Sequence, residues 1–228
     1  MINDIKLGCK LLKYGHNAKL SIVLSIIMAI FSVFYSILSI VASSNFPGGY
    51  FFMLSALLLV QLLCTVNAAG LVAASPARKR LQTRIPALIS TATMLAAHLI
   101  NVVSLGIFAS IRPEAMGSVC ILIITTTLIM GLVMMYVGVC YKYFVLGTIV
   151  FVIGFAVLYG AMVYGVLRQN LTRGFLPLES LWGNFWLASA LGLGIILVCG
   201  LLEYLLTLAT YKAPISKLAL GARLRGQM

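Results

Sequence analysis

Two histidines and four side-chain carboxylates are all the imidazole and carboxyl groups in the side chains of this 228-residue chain, and their spacing outlines no reaction centre. His16 and His98 fall on different predicted elements. Asp4, Glu114, Glu179 and Glu203 are spread along the length, so neither paired carboxylates nor a metal triad can be drawn from their spacing. Cys9, Cys64, Cys120, Cys140 and Cys199 include no pair at metal-ligand spacing, and only Cys120 is expected to approach the outer face, which argues against a disulfide framework. No Gly-x-x-x-x-Gly-Lys-Ser/Thr loop is present to cradle nucleotide phosphates. The expectation is a chain that binds no cofactor and performs no catalysis of its own.

The polar residues that remain are embedded in apolar runs, where they are costly and therefore informative. Gln61 and Asn67 lie in one such run, and His98 and Asn101 one turn apart in another. Thr125, Thr126 and Thr127 are consecutive in a third, and Glu203 stands about two turns from the end of the last. Two roles fit Gln61, Asn67, His98, Asn101 and Glu203: lining a translocation path, or hydrogen bonding between helices. Glu203 has the further choice of acting as a gate or finding a buried partner, either His98 or a basic cytoplasmic residue. The ten methionines suit a surface that meets varied apolar cargo, or ordinary gap filling.

The elements that must position these groups are six apolar stretches at 20–42, 51–73, 86–111, 118–140, 143–167 and 185–211. Each reaches the ~20 residues a helix needs to cross a bilayer. A hydrophobic content of 62%, a charged content of 9% and a mean hydropathy of +1.12 agree. With the N-terminus placed in the cytoplasm, thirteen of the 16 Lys and Arg residues fall on the cytoplasmic side, leaving Arg112, Arg168 and Arg173 outside. The reading is an all-α protein of six transmembrane helices, a single domain over 1–228, with both termini cytoplasmic. The net charge of +12 then belongs to membrane anchoring and topology, with anionic lipid as its partner, rather than to nucleic acid.

Segment 2–19 precedes the first span. Lys6, Lys10, Lys13 and Asn17 share one helical face beside Ile5, Cys9, Leu12 and His16, the pattern of an amphipathic helix lying on the membrane surface or of a plain cationic flank. Arg112-Pro113-Glu114 predicts a tight external turn, and Tyr141-Lys142-Tyr143 a short hairpin that makes spans four and five antiparallel neighbours. Gly131 and Gly138, then Gly147, Gly154 and Ala161, recur every seven residues and predict close helix packing. Connection 168–184 is too apolar for a free loop, so a re-entrant segment is expected before span six. The tail 212–228 is basic.

Between spans two and three the chain reads Ser75-Pro76-Ala77-Arg78-Lys79-Arg80-Leu81-Gln82-Thr83-Arg84-Ile85-Pro86. Ser75 can cap a short basic helix that accepts Pro76 in its first turn, and Pro86 disfavours helical geometry at Ile85, so the piece should be separate from span three. A plain positively charged loop is the other reading of the same residues.

This order of elements resembles the permease subunit of ABC-2-type ABC transporters, in the short bacterial six-span form, over essentially the entire chain. The lack of any external domain is similar to exporters of amphipathic peptide toxins such as phenol-soluble modulins. The resemblance implies a bacterial plasma-membrane export subunit working by alternating access. Its partners would be a separate ABC ATPase carrying ATP and Mg, and a second permease copy, identical or paralogous. In that picture Arg78, Lys79, Arg80, Leu81, Gln82 and Arg84 form the coupling helix that docks the ATPase. Lys6, Lys10 and Lys13 add an interfacial docking face. The competing expectation is an ATP-independent carrier or channel. The absence of a visible internal repeat disfavours carrier folds with duplicated halves.

Overall fold

A computed structural model describes residues 18–41, 78–140, 142–169 and 184–214, with most of 51–58 and the single positions 7, 10, 76 and 216. Among the described residues the chain is helical and contains no strand. The elements are α1 (Ala18–Val41), α2 (Arg78–Gln82), α3 (Arg84–Ile111), a 3-10 turn (Pro113–Ala115), α4 (Met116–Cys140), α5 (Phe144–Gln169) and α6 (Phe185–Thr210). Five helical segments are long and apolar enough to cross a membrane: the runs beginning at Ala18, Arg78, Pro113, Phe144 and Phe185. Most of predicted span two lies outside the described residues, as do the segment around Lys6 and Lys13, the connection 170–183 and most of the basic tail. Leu7 and Lys10 are helical and exposed.

Local chemistry sets the helix ends. Arg112 precedes a proline, which disfavours helical ψ, and it leaves the helix at φ −130°, ψ 80°. Ala115 then donates to Arg112 O at 3.0 Å, closing the predicted external turn. At the other end of α4, Lys142 and Tyr143 both donate to Val139 O, at 3.0 and 2.9 Å, so the chain reverses within a few residues as the sequence predicts. Asn184 caps α6 by accepting from Leu187 N at 3.1 Å.

The predicted break at Pro86 is not where the chain breaks. Ile85 is helical and fully buried, and Pro86 sits in the first turn of α3, the part of a helix where a missing N–H is best tolerated. The interruption is the single residue Thr83, and hydrogen bonding runs across it. Thr83 N and Oγ1 both donate to Lys79 O, at 3.1 and 2.7 Å, and Ala87 N donates to Thr83 O at 3.4 Å. The basic helix α2 is therefore the tied-on end of α3, not an isolated piece.

The core is a three-helix unit of α3, α4 and α6. α4 is apolar on every face and is the most enclosed of the spans, as its composition demands. Close approach depends on glycine: Gly131 meets Cys199 and Gly138 meets Glu203, which places α6 alongside α4 in the same direction. Gly106 meets Phe185 and Gly200 meets Thr91, so α6 runs antiparallel to α3. Gly147 and Gly154 of α5 face Val139 and Leu132 of α4, so the seven-residue repeat serves packing as predicted. α1 and α5 leave Leu, Ile, Val and Phe side chains exposed along most of their length, as lipid-facing helices do.

Candidate functional site

Two apolar clusters fill the core, and a polar belt lies between them. The larger joins Leu81, Ile85, Ile89, Met94 and Ala97 to Ile129, Met130, Val133, Met134 and Ile196. The smaller joins Leu105, Phe108 and Ala109 to Val119, Leu122 and Ile123. His98, Asn101 and Ser104 of α3 occupy the gap on one side, Thr126 and Thr127 of α4 on the other, and all five are buried. Spacing explains the α3 members, because positions 90, 94, 97, 98, 101, 105 and 108 recur every three or four residues on one face. Met94, Met130 and Met134 are at most 1% exposed and serve as core filling rather than a cargo surface.

Within the belt, His98 Nε2 lies 3.2 Å from the carbonyl oxygen of Ser189 on α6. A carbonyl can only accept, so the proton of this bond sits on Nε2, and Nδ1 has no partner among the described residues. Ser104 donates to Asn101 O at 3.1 Å and Thr127 donates to Ile123 O, both bonds within their own helices. Among the described residues the Asn101 amide makes no hydrogen bond through Nδ2 or Oδ1, and Thr126 Oγ1 makes none either. Each such group costs about 1–3 kcal/mol when left unpaired away from water. Gly192 of α6 lets the belt close: a Cβ there would stand 2.5 Å from His98 Cε1 and 2.9 Å from Thr127 Oγ1.

Glu203 forms a second polar centre. It is 0% exposed, packed against Gly138 of α4, and neither carboxylate oxygen has a hydrogen-bond partner among the described residues. Ser90 of α3 faces it, without reaching full hydrogen-bond geometry. Of the partners open to Glu203, His98 is not the one it meets. His98 sits at the level of Gly192, eleven residues away along α6 and so about 16 Å distant along the axis.

Arg78, Lys79, Lys142 and Lys212 gather at the end of the bundle nearest Glu203. Arg78 Nε donates to Gln82 Oε1 at 3.4 Å, and Leu81 is the buried anchor of α2. Lys79 and Lys212 each hold their ammonium 5.9 Å from the centre of the Tyr211 ring, a cation–π arrangement. Lys142 of the α4–α5 hairpin donates to Ala213 O at 2.7 Å. Its ammonium has a pKa below the usual lysine value, because of burial first and repulsion from Arg78 second. The start of α2, the α4–α5 hairpin and the end of α6 thus form one cationic face.

The structure therefore brings Arg78 and Lys79 beside Lys142, Tyr211 and Lys212, and puts His98 and Asn101 in one belt apart from Glu203. Gln61 and Asn67 lie outside the described residues. Sequence reasoning missed Ser90, Ser189, Gly192 and Tyr211. Ser90 was findable, being two turns before His98 on the same face, whereas the others matter only through contacts between distant segments. Comparison of the chain with protein-family models, curated proteins and solved structures finds no match.

Proposed function

We propose that this chain is the membrane subunit of an ATP-driven ABC-2-type exporter, with six spans, both termini cytoplasmic and its ATPase supplied by a partner. The observation that carries the reading is the short basic helix α2 hydrogen-bonded through Thr83 into α3, the helix that holds His98 and Asn101 in the core. A push on α2 passes into α3 without a slack loop between them. Arg78, Lys79, Arg80 and Arg84 offer positive charge to an acidic ATPase surface and Leu81 roots the helix in the core; in this reading Lys6, Lys10 and Lys13 add an interfacial docking face. Two copies, identical or paralogous, enclose a path for an amphipathic or apolar cargo such as a peptide. ATP and Mg are held by the partner and supply the driving energy from there.

The test is co-purification with a candidate P-loop ATPase, sought first in the neighbouring reading frames, comparing the native protein with the variant in which Arg78, Lys79, Arg80 and Arg84 are all alanine. Exposed charge pairs contribute up to ~1 kcal/mol each, so the variant should bind the ATPase on the order of a hundredfold more weakly while inserting normally. Unchanged docking and ATP hydrolysis would remove α2 from the mechanism, and failure of any ATPase to bind the native chain would remove the exporter reading.

A second reading, an ion-gradient-driven carrier, is favoured by one observation. Glu203 is fully buried within a span and has no hydrogen-bond partner among the described residues, and an ionisable side chain at such a place marks a candidate ion pathway. Under that reading Glu203→Gln abolishes gradient-driven uptake into vesicles without any ATPase, and the four-alanine variant transports normally.

A further inference from the structure

An apolar groove of about 260 Å³ opens between the halves of α4 and α5 nearest their hairpin and the end of α6. Leu132, Val139, Gly147, Phe151 and Leu206 line it, with Tyr143 at its hairpin end. Leu132 and Val139 are seven residues apart, so the groove is about 10 Å long and runs with the spans. Its α5 rim, including Leu146 at 63% exposed, faces outward, so the groove is reached sideways from the bilayer. Gly147 keeps it open: a Cβ there would sit 3.4 Å from Val139 Cγ2, pointing among the groove's own side chains.

Lys142 begins where the groove ends, between its lining residues Val139 and Tyr143 in the hairpin. This ammonium is half-buried, is repelled by the charge of Arg78, and is held toward Ala213, the residue after Lys212. The only carboxylates among the described residues are Glu114, in the turn at the opposite ends of α3 and α4, and Glu203, buried two turns inside α6. The cationic face therefore lacks a carboxylate close by among those residues, beside the hairpin where the furrow ends.

We propose that this furrow is a binding site for one anionic glycerophospholipid, its acyl chain seated along Gly147 and its phosphate at Lys142 and Lys212. Neither half suffices alone. The furrow supplies apolar contact to any lipid, and the ammonium groups select the negatively charged headgroup. The site does not depend on what the protein transports.

The experiment uses the full chain, delipidated in a neutral detergent, with phosphatidylglycerol, phosphatidylcholine and inorganic phosphate titrated separately and bound lipid counted by native mass spectrometry. One phosphatidylglycerol should bind at least tenfold more tightly than phosphatidylcholine, with inorganic phosphate ineffective at matched concentration. Lys142→Gln should lose about fivefold in phosphatidylglycerol affinity while leaving phosphatidylcholine unchanged, and Lys142→Arg should retain the preference. Gly147→Leu fills the furrow and should weaken both lipids. Equal binding of the two lipids, equal effect of inorganic phosphate, or a phosphatidylglycerol preference that survives both Lys142→Gln and Gly147→Leu would overturn the site. Helix content by circular dichroism accompanies each variant, and Lys142→Arg decides the headgroup question if Lys142→Gln does not fold.

Discussion

Gly192 is a position where one added methyl group should be costly. α6 approaches α3 and α4 there so closely that a Cβ would stand 2.5 Å from His98 Cε1, 2.9 Å from Thr127 Oγ1 and 3.3 Å from His98 Nε2. Neither obstacle can retreat freely, since His98 Nε2 is bonded to Ser189 O and Thr127 Oγ1 to Ile123 O. Overpacking of this kind costs about 1–3 kcal/mol, and a displaced interhelical hydrogen bond in a membrane protein adds ~0.6 kcal/mol. Gly192→Ala should therefore destabilise the protein by about 2 kcal/mol, or roughly 4–8 °C in Tm for a chain of this size. Gly194, two residues on, is the internal control. A Cβ there meets nothing within 4 Å, so Gly194→Ala should be neutral or slightly stabilising through helix propensity. Thermal unfolding in detergent micelles compares the two. Combining Gly192→Ala with His98→Ala should cost less than the sum of the singles by about 1 kcal/mol, because the second change vacates the space the first one needs. Equal Tm shifts for Gly192→Ala and Gly194→Ala would refute the packing argument, and strict additivity of the double variant would refute the role given to His98.

Three further outcomes follow from single contacts. Ser25 Oγ lies 2.7 Å from Ser55 Oγ and donates to Ser55 O at 3.1 Å, tying α1 to the residues after it, so Ser25→Ala should lower stability by ~0.6 kcal/mol, measured as reduced Tm and earlier proteolysis between α1 and the core. Glu203→Gln removes no observed hydrogen bond or ion pair and keeps the shape, so Tm should change by less than about 1 kcal/mol equivalent, and a collapse of folding would reveal a partner. Lys142 has a folded-state pKa below its ordinary 10.5, so the unfolded chain binds the proton more tightly and stability should rise with pH on the approach to 10.5; Lys142→Gln should flatten that rise in a pH series of unfolding temperatures.

How much was legible in advance follows from how far each signal reaches along the chain. Spans three, four, five and six could be placed within a few residues because a bilayer-length apolar run is a local property. So could the Arg112–Glu114 turn and the Tyr141–Tyr143 reversal, because proline geometry and a short connection act over neighbouring residues. The Pro86 break was misplaced because proline is tolerated in a first turn, and where that turn begins depended on Thr83 hydrogen bonding back to Lys79. His98, Asn101 and Glu203 were recognisable as costly polar residues, but nothing in their spacing told which of them meet.

The amino-acid sequence by itself determined an all-helical chain of bilayer-length spans, its concentration of positive charge, and the seven-residue glycine pattern, since hydropathy, charge and side-chain size need no neighbour to have their effect. Only the tertiary structure decided that α6 lies along α4 and against α3, that Gly192 closes a belt around His98 and Thr127, that Glu203 is buried about 16 Å from that histidine, and that Lys142 shares a face with Arg78 and Lys212. The reason is physical: in lipid every outward helix face is equally apolar, so helix order rests on which small residues allow backbones to touch, and those contacts join segments tens of residues apart.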